Sequence, residues 1–600
     1  MMTATSRSLA LAALLMLLPL ISVIGGTLAS PVEKTVNESY PPAAGSADPT
    51  PVDIYPLNGI GVNEANPSWN SANSDLGRKA PSIAESGAGL AFQDAASPRV
   101  ISNSVCVQNQ GVVADETGLS DYNWLWGQFI THEVDFTLTQ NGRVSGTPET
   151  AAIPVDGNDP HFGSEGGGDV MIPFVRSLYN TSTGTGSDDP RQHPNSVTGW
   201  IDGSVVYGPT NSTAAWLRTM SDGKMKVSQD AYGDLLPIPA DGDDSAPGMS
   251  FAGFSADVRY VAGDARANEH AALMAIHVLF VREHNRLAEE IGERNPTWDD
   301  EQIYQRARKI NAALIASVTY NEFLPSLGIT MPNYTGYDQT IDPSVTNSFA
   351  TVSFRVGHSQ IGPMVMRLEE NRSAIPQGHI LMKDAFWKTT VVTDGGGIGP
   401  LLRGLAFSTQ EANDVYFLDD LRNALFGIPG MGGMDLCAID IQRGRDHGVA
   451  DYNTLRASMN ITRAENWSDI TSDVEIQNRL SAVYPDVDHV DGLMGMLAED
   501  HVAGSVLGAS MHALIQDQFI RLRDGDRLYY ENDAEMTAIA GNISSTTLAD
   551  IILRNTEVES IQCNVFFAET NTSNFDCTNA NIGSVPAYGS DGGEEEVEVI

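Results

Sequence analysis

Residues 269–291 read EHAALMAIHVLFVREHNRLAEEI, with no Gly or Pro and almost no polar position between Ala271 and Val281. A helix that is apolar on all sides is one buried in the middle of a domain. The stretch therefore predicts a central helix that becomes amphipathic only from Arg282 onward. Helical periodicity recurs at 121–135, 301–320, 411–426 and 497–523, whereas the Gly- and Pro-rich stretches 141–170, 181–195 and 233–249 read as long loops. The fold expected is mainly α: a single large helical domain with long loops and little β.

Working outward, the composition changes only near the two ends. Residues 1–29 combine Arg7, an apolar run from Leu9 to Ile24 and small residues up to Ala29, the pattern of a signal peptide. Pro19 and Gly25-Gly26 keep the apolar run below the ~20 residues that a membrane span needs, so no stable membrane insertion is expected. Residues 30–55 read as an exposed leader, 56–582 as the folded domain and 583–600 as a solvated acidic tail. The 600 residues carry 35 Lys and Arg against 77 Asp and Glu, a formal charge of −42. Such a surface repels phosphate backbones and excludes nucleic acid as a partner. Four cysteines are present. Cys563 and Cys577 are near enough to close a short disulfide loop worth ~3 kcal/mol. Cys106 and Cys437 have no evident mates, and Cys437, inside an apolar run, reads as a free buried thiol.

Five segments could carry chemistry. In Trp126–Asp135, Gln128 and His132 fall one helical turn apart on one face, where a His beside an amide could move a proton. Taken alone, that pattern also describes an ordinary core histidine. Thr198–Ser204 alternates oxygen side chains on a short loop, which suits calcium but equally an ordinary polar turn. Arg266 and Glu269 lie three apart at the entrance to the central helix. Arg355 and His358 share a face, and Gly357 leaves room for something flat and bulky. Asp440–His447 is dense in charge directly after an apolar run, so its charges need partners. His277, His284 and His447 read as structural, hydrogen-bonded residues.

Together these segments resemble the animal-type haem peroxidases, the group of myeloperoxidase, lactoperoxidase, peroxidasin and peroxinectin, and especially its microbial members. The resemblance runs from about Tyr55 to about Ala568 and includes Pro98–Asn103, Val281–Leu287 and Asp419–Asn423. It implies a secreted enzyme that reduces hydrogen peroxide and oxidises a halide, a pseudohalide or a phenolic donor. It implies b-type haem with His358 as iron ligand and Asp440 accepting the His358 N–H. His132 would be the histidine that moves the peroxide proton, with Arg266 and Gln128 beside it. Arg355, Arg443 and Asp135 match residues that hold the haem propionates. Glu133, Thr198, the Trp200 carbonyl, Asp202 and Ser204 match a calcium site. The host would decide whether sequons such as Asn180 and Asn211 carry glycans.

Three positions depart from the family pattern. Asp440 stands where an Asn is usual, and a carboxylate is the stronger acceptor. Glu133 stands where an Asp is usual. Thr131 replaces an Asp that can esterify the haem, so Glu269 is left as the one residue able to form an ester. His270 follows Glu269, so the methionine linkage of myeloperoxidase is absent, and chloride is expected to be a poorer donor than bromide, iodide, thiocyanate or phenols. Two rivals remain at this point. A fatty-acid oxygenase of the cyclooxygenase branch shares Thr131-His132, but Arg355 occupies the position of its radical-forming Tyr. A peroxinectin-like adhesion or matrix protein would have no need of His132, His358, Arg266 and Gln128.

Overall fold

The computed structural model describes residues 53–568, apart from 85–88, 93–94, 109–110, 141–147, 164–169, 250–255, 428–432, 534 and 537–539, together with the short strand at 577–578. The expected signal peptide, nearly all of the leader and the acidic tail lie outside the described residues. Six helices organise the rest: α1 (Tyr122–Val134), α2 (Ala271–Arg294), α3 (Asp300–Val318), α4 (Leu436–Asp446), α5 (Gly492–Ala498) and α6 (Ala509–Asp524). Among the described residues, strand is confined to four two-stranded antiparallel pairs. The mainly helical expectation holds.

Helix α2 is the central helix. Its N-cap is His270, whose side chain accepts the Leu273 N–H, and it ends at Asn295, directly before Pro296. Every residue from Ala271 to Val281 is buried. Asp299 opens α3 with a capping box closed by Gln302, and the tight connection returns α3 against α2. Trp126 and Phe129 of α1 pack their rings on Phe280 of α2. Each such aromatic, fully buried, contributes ~1.5–3 kcal/mol by area.

Polar groups inside this core are paired across elements. Asn311 of α3 donates to the Phe280 carbonyl and to the Tyr207 hydroxyl, and Tyr207 meets His284 Nδ1 at 2.9 Å. His284 Nε2 reaches the Gly223 carbonyl. His447 bonds Asn347 and Ser177 and stacks on His193 with ring centroids 3.8 Å apart. Both histidines are structural, as expected. His277 differs: it packs edge-on to Phe129, and its ring nitrogens have no hydrogen-bond partner among the described residues.

The structure corrects other expectations. Residues 411–426 hold only the short helix Asp419–Asn423. Their first half carries two isolated bridges, Glu411 to Ala114 and Phe417 to Val107, and its residues alternate between buried and half-buried from Glu411 to Phe417. That burial alternates with the period of a strand. The 497–523 helix is broken between Ala498 and Ala509, where the Glu499 side chain accepts the Ser510 N–H and hydroxyl and the Tyr452 hydroxyl. The loops 141–170 and 233–249 contain strand residues: Ile153–Val155 pairs with Val170–Ile172, and Gly233–Leu235 with Ser228–Asp230. Cys437 is not a free thiol: it is disulfide-bonded to Cys106, 331 residues earlier, with Cα atoms 6.8 Å apart. Sequence spacing could not show that pairing, because only the packing of α4 brings the two together. Cys563 is disulfide-bonded as well.

Two of the quoted motifs interlock around the start of α4. Arg99 donates to Asp159, Asp435, Asn423 and the Arg422 carbonyl, and is itself 1% exposed. Arg422 returns bonds to Ser102 and Asn103. Asp435 is the N-cap of α4. Removing one partner of a buried ionic network strands the remaining charges. Arg99→Ala should therefore cost about 3–5 kcal/mol in denaturant unfolding, and a loss below ~1 kcal/mol would show that the network does not hold α4.

Candidate active site

The site is a cavity with about 200 Å³ of space open to water-sized molecules. Helix α1 contributes Gln128, Thr131 and His132, the approach to α2 contributes Arg266, Glu269 and His270, and the turn Ser353–His358 contributes Arg355, Gly357 and His358. The one-turn spacing of Gln128 and His132 does place both on the cavity face.

His132 is 5% exposed, and its Nδ1 has no hydrogen-bond partner, the nearest acid being Asp264 Oδ1 at 3.7 Å. Burial, reinforced by the Arg266 charge, holds its pKa well below 6.5. Arg266 is gripped by Asp264 through Nε at 2.9 Å and Nη2 at 2.7 Å. The same Nη2 donates to the carbonyls of His132 and Asp135, and the guanidinium lies over the Phe136 ring. Asp264 stays ionised: despite its burial, Arg266 and His132 hold its carboxyl below the usual carboxylate range. The sequence reading passed over Asp264, although its position two residues before Arg266, in Gly-Asp-Ala-Arg, was a usable signal.

His358 ends its turn with Nδ1 2.6 Å from Asp440 Oδ2. Its Nε2 has no partner among the described residues. Asp440 is buried on α4 and does not line the cavity itself. Arg355 donates through Nε to the Ala350 carbonyl, which leaves its two terminal nitrogens without partners among the described residues. Asp135 is buried with an unpartnered Oδ1; burial raises its carboxyl, against the pull of Arg355 and Arg266. Glu269 faces the cavity, and burial raises its carboxyl too. Arg443 does not reach the cavity wall: it bonds Ser177, Asp446 and the Val175 carbonyl over the Phe174 ring. The Thr131 hydroxyl donates back to the Gly127 carbonyl at 2.8 Å.

A second cluster sits behind His132. Glu133 accepts the N–H groups of Gly203 and Val205, while Asp202 accepts the Thr198 hydroxyl and the Ser204 N–H. Burial, with Asp202 alongside, pushes the Glu133 carboxyl up to about 8. The Trp200 indole is buried and donates to the Gly59 carbonyl. Among the described residues, no group of three or more His, Cys, Asp or Glu side chains is placed to hold a metal ion.

Comparison with known proteins places the fold. The family model of the animal haem peroxidases matches residues 55–566. Peroxinectin A of Dictyostelium discoideum is 35% identical over 521 residues, covering 85% of this chain and 94% of the relative. Human eosinophil peroxidase is 31% identical over 547 residues, covering 84% of this chain and 75% of the relative. The solved structure of peroxidase A from Dictyostelium discoideum superposes with a TM-score of 0.79 at 34% identity, covering 86% of this chain and all of that one. With the cavity, its two histidines and these matches in agreement, the chain belongs to the animal haem peroxidase family.

Proposed function

We propose that this oxidoreductase, which acts on hydrogen peroxide, works with His132 as its proton-transfer base and His358 as its haem ligand. The observation that carries the reading is the contrast between the two histidines that line one cavity. One is held neutral beside a clamped Arg266, and the other has Nδ1 engaged by Asp440 and Nε2 left over. A flat, acidic tetrapyrrole fits groups that have no partner among the described residues, Nε2 of His358 and the terminal nitrogens of Arg355, with the Glu269 carboxyl on the same cavity. Haem, when bound, supplies the reduction of peroxide and the oxidation of a donor.

The protein's own part is proton handling. His132, neutral because it is buried beside a cation, can take the peroxide proton and return it to the departing oxygen. Arg266 contributes a fixed positive charge where negative charge develops, and Asp264 keeps that charge aimed. Gln128 offers an amide to a bound water or halide. Arg355, Asp135 and Arg443 would act on the propionate side, Arg443 as a support, since its hydrogen bonds are to protein. An ester through Glu269 is the one covalent link its neighbours allow, Thr131 having no carboxylate. Asp440, an acceptor stronger than an amide, would draw the His358 proton and make the imidazole more electron-rich.

Calcium fits the Glu133 cluster. Two buried carboxylates press on each other there beside the hydroxyls of Thr198 and Ser204, a set of hard oxygens to which the Trp200 carbonyl would add a further donor. Bound calcium would tie α1 to the 198–204 loop directly behind His132. We assign export to the chain on its signal-like first 29 residues and on the Cys106–Cys437 disulfide, a bond that persists in oxidising compartments. One catalytic domain, 56–582, is the organisation proposed; among the described residues no helix is long and apolar enough to cross a membrane. The donors are halides, pseudohalides or phenols, with chloride the poorest. The fatty-acid oxygenase reading is disfavoured by Arg355, three residues before His358.

Three measurements test this reading. Stopped-flow mixing with peroxide should show a Soret change that stays fast as pH falls through 6.5, because the depressed pKa keeps His132 deprotonated below that pH; His132→Ala should slow it by ~10²–10⁴-fold. A rate that titrates near 6.5 would contradict the assignment of His132. Asp440→Asn should raise the Fe(III)/Fe(II) potential by roughly 60 mV or more, a tenfold one-electron shift, in spectroelectrochemistry; an unchanged potential removes the argument from Asp440. Chelation should lower the unfolding free energy by about 2–3 kcal/mol relative to protein held at a hundredfold excess of calcium over Kd; indifference to chelator and calcium alike would remove that site.

A further inference from the structure

We infer that His270 is a positioning residue: it engages the oxygen of the Gln128 amide and so leaves the NH2 group as a fixed donor for a small monoanion in the cavity. The inference rests on the peroxidase reading of the cavity. Its starting point is a hydrogen bond that the proton chemistry does not use, His270 Nε2 to Gln128 Oε1 at 2.7 Å.

The direction of that bond follows from the cap of α2. His270 is the N-cap residue, and its Nδ1 accepts the Leu273 N–H at 3.2 Å. A nitrogen that accepts carries no proton, so in a neutral imidazole the proton sits on Nε2. Burial keeps the ring neutral, with its pKa lowered to about 3. Nε2–H therefore has to meet an acceptor, and the acceptor of an amide is its oxygen. The ring cannot turn to escape this assignment: it is 3% exposed, with the Trp124 ring centroid 5.6 Å away and that of Phe386 at 6.3 Å. With Oε1 engaged, Gln128 presents only Nε2, which has no partner among the described residues.

At the His132 end the cavity then offers two fixed donors, while the Glu269 carboxyl faces it from the start of α2. Besides Gln128 Nε2 it holds Arg266, whose Nη1 is likewise unpartnered among the described residues while Nε and Nη2 are committed to Asp264 and to backbone carbonyls. A free glutamine would rotate to suit water or a phenol as readily as an anion. A glutamine locked by His270 favours a ligand that only accepts, such as bromide or thiocyanate. Hydrogen bonds to ions are the strong ones, so the lock should be felt chiefly in anion affinity.

The experiment is a bromide titration of the ferric holoprotein, followed by its Soret band, in the wild type, His270→Asn, Gln128→Ala and the double variant. Asn is a preferred N-cap residue, so His270→Asn keeps the cap of α2 while its shorter side chain drops the bond to Gln128. His270→Asn should raise the bromide Kd about tenfold, Gln128→Ala at least as much, and the double variant no further than Gln128→Ala alone. Bromide affinity within about twofold of wild type in His270→Asn, or effects that multiply in the double variant, would overturn the inference. The wild type supplies a test that needs no variant: in bromide-soaked crystals the anomalous peak should lie against Gln128 Nε2, and a peak elsewhere counts against it. A wild-type holoprotein whose Soret band ignores peroxide would instead sink the peroxidase reading, which the bromide titration leaves separately readable.

Discussion

The Arg266 guanidinium is the joint on which the active cavity depends. It donates four bonds, two to Asp264 and two to the carbonyls at the end of α1. Those bonds tie the helix that carries His132 to the segment that leads into α2. The same charge that sets this geometry also keeps His132 neutral. Burial lowers the proton affinity of His132 first, and the Arg266 charge that sets its position adds to that effect in a medium where charges are weakly screened. Behind it, the Glu133–Asp202 cluster braces the same helix end through the 198–204 loop.

The other wall is held by different means. His358 lies at the end of a short turn, and its orientation comes from Asp440 on α4. Helix α4 is in turn fixed at its start by Arg99 and Asp435 and by the Cys106–Cys437 disulfide. The chain from Arg99 to Asp435, along one turn of α4 to Asp440 and on to His358 converts a buried network into the placement of one imidazole. A helix carries His132, and the short turn that carries His358 is braced by Asp440 of α4, so that both groups can stay within reacting distance.

The departures from the family pattern become physical once they are placed. Thr131 spends its hydroxyl on the backbone of its own helix, as Thr and Ser commonly do, so nothing at that position reaches out to a cofactor. His270 gains a second task as the cap of α2, and that task sets its tautomer. Asp440 is buried and aimed at a single nitrogen. Each substitution changes a hydrogen bond whose partner is visible, so its effect can be argued from that bond.

Much of the fold and of the site was legible in the residues themselves. The apolar run 271–281 forms the buried helix that its all-round hydrophobicity demands, and the one-turn offset of Gln128 and His132 places both on the cavity face. These are local consequences of the 3.6-residue period, which any reader of the chain can recover. What was misread depends on contacts between distant segments. Residues 411–417 follow a strand period where Glu411 bridges to Ala114 and Phe417 to Val107, and the 497–523 run breaks where Glu499 finds Ser510 and Tyr452. The Cys106–Cys437 bond, the clamp of Asp264 on Arg266, the turning of Arg443 into protein and the lock of His270 on Gln128 each join residues from different elements. The sequence by itself determined the helices, their buried faces and the types of residue available for chemistry, because those follow from short-range periodicity. Only the tertiary structure decided which of those residues meet, because a hydrogen bond or an ion pair acts over a few ångströms in space without regard to distance along the chain.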